Sequence, residues 1–156
     1  MGVSVRGLVL VDGEVPPVSG PAYPVRPALR EFIAALPEEA GLLPPWSQWF
    51  LRDPQRATLI GIDRLAHDDA TFAAFEQMLP RMTKAWFEDT IELHPWDHVP
   101  AGYIQTSGIY GHAMAEAQKR GWPVMRLQGT HMHPTLAPDE MADAILRMSD
   151  LLTQTG

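Results

Sequence analysis

The segment Val5-Arg6-Gly7-Leu8-Val9-Leu10-Val11 is a nearly continuous apolar run, closed by Asp12-Gly13. A strand with one wet face alternates apolar and polar residues, whereas a run without alternation is buried on both faces. Burial on both faces needs helices above and below, so this run predicts a parallel sheet in an α/β fold. Parallel neighbours require a crossover, and the next strand patterns occur only at 101–106 and 123–128. The first strand must therefore find its partners late in the chain.

What lies between reads as helix. Pro and Gly make 14–23 a loop. Pro27 to Leu36 has helical spacing through Leu29, Phe32, Ile33 and Leu36, and Pro37 ends it. Gly41 to Leu51 predicts a short helix after Pro44-Pro45. Asp68 or Asp69 can cap a helix carrying Phe72, Phe75, Met78 and Leu79, and Pro80 opens another with Met82, Trp86 and Phe87. The expectation is a helical cap over about 26–90. A helix from about Gly111 to Arg120 then joins the two later strands, and a last helix follows over 138–152. The whole of 1–156 is read as a single domain, with about three parallel strands and a helical cap block.

Composition excludes several functions. With no cysteine, thiol catalysis, thiolate metal sites and disulfides are all absent. A formal net charge of −7 without a basic stripe argues against nucleic acid. No apolar run approaches a membrane span, and Arg6 interrupts the apolar start where a signal peptide would be continuous, so the expected location is cytoplasmic. No cofactor is expected. His131-x-His133 with His94, Asp97 and His98 would make a metal site only by a coincidence of folding, so no metal is expected either.

The chemistry concentrates after the strands. His131, in Gly129-Thr130-His131-Met132-His133-Pro134, stands in a turn between strand and helix, from which an imidazole can reach a cleft as acid or base. Asp12 and Glu14 follow the first strand, at the sheet edge where open α/β folds bind ligands. Against these stand plainer roles: a turn-forming aspartate before Gly13, a surface glutamate, a histidine that only braces its turn. Trp46, Trp49, Phe50, Met78, Met82, Trp86 and Met132 are core by default, yet they exceed what one thin cap needs, so some are expected to line an apolar pocket or a subunit contact. Tyr103 and His133 are further candidate pocket residues.

These features resemble the C-terminal half of the α/β-hydrolase superfamily. Gly7 to Gly13 looks like the sixth strand and its turn, 27–87 the cap, Gly102-Tyr103-Ile104-Gln105-Thr106 the seventh strand, and Pro123-Val124-Met125-Arg126-Leu127 the eighth. Gly129-Thr130-His131, followed by Pro138-Asp139-Glu140, matches the turn and helix of the family's catalytic histidine. The resemblance implies a truncated α/β-hydrolase-like fold whose chain begins after the nucleophile elbow. None of Ser4, Ser19, Ser47, Ser107 or Ser149 has the Gly-x-Ser-x-Gly pattern. The family's usual acid position after the seventh strand, near Ile109, has no carboxylate, and Asp12 or Glu14 would replace it.

Without a nucleophile, acyl transfer loses its largest contributions. The expected function is a non-hydrolytic enzyme that folds a flexible, apolar, polyketide-like molecule for cyclisation, pericyclic ring closure or isomerisation. His131, with Asp12 or Glu14, would move the proton. The alternatives are a hydrolase whose nucleophile comes from another chain, and a catalytically dead binding module. A homodimer through the exposed first-strand edge or the cap helices is the expected assembly.

Overall fold

A computed structural model describes residues 5–50, 53–66 and 68–154; Ser4 and Leu51 lie outside the described residues. β1 (Leu8–Val11), β4 (Ala101–Gln105) and β5 (Val124–Arg126) form a parallel sheet in the order β1-β4-β5. Leu8 pairs with Ala101 and Tyr103 with Val124. α6 (Gly111–Lys119) crosses from β4 to β5, and α8 (Pro138–Gln154) closes the chain.

β4 is the central strand and is buried along its whole length. Tyr103 points to one face, against Ala113 and Ala117 of α6, and Ile104 to the other, against Met141, Ala144 and Met148 of α8. Gly102 leaves room on the α8 side for the Met148 side chain, which would have to shift to admit a Cβ there. β1, expected to be buried on both faces, is only half-buried, since among the described residues it has a strand neighbour on one side alone. Its apolar run still serves both layers, with Val9 and Val11 toward α8 and Leu10 toward α6.

The helical block comprises α1 (Pro27–Ala34), a single turn at Trp46–Gln48, α2 (Pro54–Ile60), α3 (Ile62–Leu65), α4 (Asp69–Met78) and α5 (Lys84–Glu88). Asp68 caps α4 by accepting from the Ala70 amide, as its position predicts. The helix expected from Pro80 begins instead at Lys84, where the Thr83 hydroxyl accepts from the Trp86 amide. A side chain that satisfies an orphan amide outranks a proline that merely tolerates the position.

The Pro-rich stretch after Glu14, expected to be all loop, contains β2 (Gly20–Ala22), antiparallel to β3 (Ile91–Leu93). This ribbon ties the two roots of the cap together. The indole N–H of Trp96 donates to Pro17 O at 2.7 Å beside it. The cap has its own core, in which Ile33, Leu43, Phe50, Ile60 and Phe87 gather around Trp49. Met132 joins that core from the turn beyond β5, so the cap is seated on the end of the sheet. No helix among the described residues is long and apolar enough to cross a membrane.

Candidate functional site

Parallel pairing places the end of β1 beside the end of β4, and the Asp12 amide extends the ladder by donating to Ile104 O at 2.8 Å. Asp12 then turns into a left-handed conformation, φ 41°, which aspartate tolerates better than most residues. The residue is 1% exposed. Oδ1 accepts from the amides of Thr106 and Ser107, each at 2.9 Å. Oδ2 accepts from the Ser107 hydroxyl at 2.6 Å and from His131 Nδ1 at 2.9 Å. Burial alone would raise the Asp12 pKa, but the hydrogen bonds from His131, Ser107 and Thr106 outweigh it and hold the carboxyl below its ordinary range.

An ionised carboxylate only accepts, so Nδ1 of His131 carries the hydrogen, and in the neutral imidazole Nε2 presents the lone pair. Among the described residues, no hydroxyl hydrogen-bonds to Nε2. The imidazole is about one-third exposed and lies 5.4 Å, centroid to centroid, from the Tyr110 ring. The cap holds the turn in place: the Met132 amide donates to Ile60 O at 2.9 Å, and Thr130 packs on Gly61. Gly61 has φ 96° and ends α2, and a Cβ there would run into Thr130.

Two cavities meet at His131, and Trp46 and Trp49 line both. One, of about 300 Å³, adds Phe50, Leu29, Ile60, Tyr110, Glu14, Arg26 and Arg56. The other, of about 500 Å³, adds Asp12, Phe75, Met82, Met132 and Thr135. Burial, with the charges of Glu14 and Asp12, raises the Tyr110 pKa, so this hydroxyl keeps its proton.

Of the candidates from sequence, Trp46, Trp49, Phe50, Met82 and Met132 therefore line cavities. Four do not. Met78 is 82% exposed at the end of α4, and Trp86 is exposed with its edge against Phe87. Tyr103 lies wholly under α6, its hydroxyl donating to Gly13 O at 2.9 Å. His133 is buried in α7 (His133–Leu136), with Nε2 3.1 Å from a Glu140 carboxylate oxygen but without hydrogen-bond alignment. Period-based reading marks these residues as apolar-facing or turn-placed, but cannot tell core from cavity.

Asp12, not Glu14, is the partner of His131. Glu14 is held by His112 Nε2 at 2.8 Å and by Arg26 at 3.9 Å, and Arg26 Nη1 lies 3.5 Å from His112 Nδ1. Neither Arg26 nor His112 stands out in the sequence. The one available signal is that His112 opens the helix following β4, close to where the resemblance expects an acid. Among the described residues no three histidines, aspartates or glutamates converge as metal ligands would. Comparison with family models, with curated proteins and with solved structures finds no match to the chain.

Proposed function

We propose that this chain is a small-molecule enzyme in which His131 Nε2 takes and returns a proton on an apolar ligand held between cap and sheet, without a covalent intermediate. The scaffold we assign is the C-terminal half of the α/β-hydrolase fold, and its assembly a homodimer. The observation that carries the reading is the hydrogen bond from His131 to the buried Asp12, which orients one imidazole nitrogen and leaves the other open where two aromatic-lined cavities meet. An oriented base of this kind contributes about 10²–10⁴-fold to a proton transfer. The reactions it favours start with removal of a proton: isomerisation, elimination, or ring closure initiated by deprotonation. In an isomerisation the C–H proton passes to Nε2 and returns to another atom of the same molecule, so no oxidant or co-reactant is needed. A pericyclic closure would draw instead on orientation and exclusion of water.

Exchange of the α-hydrogens of 2-decanone in D₂O, followed by NMR, tests the base directly. The native chain accelerates exchange over buffer, and His131→Ala removes about 10²–10⁴-fold of that rate. Exchange no faster than buffer, or unchanged in His131→Ala, overturns the proposal. The same pair is also the acid–base part of a hydrolase triad, which favours as second reading a hydrolase whose nucleophile comes from another chain or from a serine of this chain outside the Gly-x-Ser-x-Gly pattern. Serine labelling of the native chain by a fluorophosphonate would replace the first reading with a hydrolase.

A further inference from the structure

The two cavities that meet at His131 differ in charge. Besides His131, the larger has Asp12 as its one ionisable wall, and every oxygen of that carboxylate is already hydrogen-bonded. The smaller has two guanidinium groups, Arg26 and Arg56, and a single carboxylate, Glu14. Glu14 is engaged on one oxygen by His112 and on the other by Arg26. Asp53, 3.4 Å from Arg56, does not line the cavity. Arg56 is further fixed by its position 4.8 Å over the Phe32 ring. The chain as a whole carries −7, so two arginines lining one small cavity run against its general balance.

We propose that the smaller cavity is a headgroup site for a carboxylate, and that the ligand is an amphipathic monoanion whose apolar chain runs past His131 into the larger cavity. A guanidinium has five N–H donors in a planar fork suited to a carboxylate. Arg26 directs Nε at Glu14 and Nη1 at His112, leaving its other donors for a ligand. A neutral head could accept from a guanidinium but would bring no opposite charge to it, and a cationic head would be repelled by both arginines. The apolar chain finds Trp46 and Trp49 along the shared wall and Phe75 and Met82 beyond. The arrangement deepens the proposed function by setting which part of the ligand passes His131, and it rests on that reading only for the reaction, not for binding.

Calorimetric titration with decanoate, decanol and decylamine, each below its micelle concentration, tests the site. Decanoate is expected to bind the native chain at least about tenfold more tightly than decanol, and decylamine the weakest. In the double variant Arg26→Gln/Arg56→Gln, decanoate falls to the affinity of decanol while decanol is unchanged. Both side chains are nearly half exposed, and a thermal melt verifies that the variant is folded. Decanol or decylamine binding the native chain as tightly as decanoate overturns the proposal without any variant, as does undiminished decanoate binding by the folded double variant. A native chain that prefers decanoate but exchanges no ketone hydrogens retains the headgroup site and loses the proton-transfer reading, and the opposite result does the reverse.

Discussion

At the scale of single residues, Asp12 joins stability to function. It is buried, ionised and accepts four hydrogen bonds, so it favours the folded chain through its charged form. Its folded pKa lies below the ordinary 3.8, which means that in acid the unfolded chain takes up this proton more readily than the folded one. The stabilisation is complete above pH 3.8 and is lost as pH falls through the lower, folded value. Urea unfolding across pH 2–6 is therefore expected to show a midpoint that drops in the native chain below about pH 4 and much less in Asp12→Asn. At neutral pH, Asp12→Asn costs about 1–3 kcal/mol, because its amide NH₂ faces donors where a carboxylate accepted. Equal acid sensitivity in the two chains would disprove this role. Asp12 and His131 are legible in the sequence because each ends a strand pattern at the same sheet edge, so topology alone brings them together. Glu14, His112 and Arg26 meet through contacts between distant segments that no local spacing records.

At the scale of elements, the cap helices matter to chemistry through one junction. α2 ends at Gly61 in a left-handed conformation, which lets Ile60 O accept from Met132 and lets Thr130 pack against the glycine backbone. Gly61→Ala adds left-handed strain and a methyl group against Thr130, for an expected cost of about 2–4 kcal/mol by denaturant unfolding. Because Thr130 immediately precedes His131, the variant also loses ketone exchange under conditions where it remains folded. A loss under about 0.5 kcal/mol with exchange intact would show that the junction does not hold the turn. Elements with strong local signals were readable: the cap of α4 at Asp68, the strand at Ala101–Gln105, the long helix after Pro138. The β2–β3 ribbon was not, since Gly-Pro-Ala has no strand preference and is extended only because Ile91–Leu93 pairs with it.

At the scale of the whole molecule, the open side of β1 is the feature that most bears on assembly. The Leu8 amide donates to Pro100 O at 2.9 Å and the Asp12 amide to Ile104 O at 2.8 Å, so even-numbered residues of this strand turn their amides toward β4. The amides of Val9 and Val11 consequently lie along the edge that has no strand neighbour among the described residues. An apolar strand with such an edge is a template for another strand, and a second copy of the chain offers an identical one. The assembly proposed above is thus an isologous dimer joined along β1. Val9→Pro separates this contact from the fold: it removes one outward-facing donor while leaving the ladder to β4 intact, and proline is accepted on edge strands. Light scattering after size exclusion at micromolar concentration is expected to give a dimer for the native chain and a monomer for Val9→Pro, with the far-ultraviolet circular dichroism of the two superimposable. A native monomer refutes the dimer. A Val9→Pro dimer moves the contact from the strand edge to the cap helices, where the exposed Trp86 and Leu59 would have to carry it.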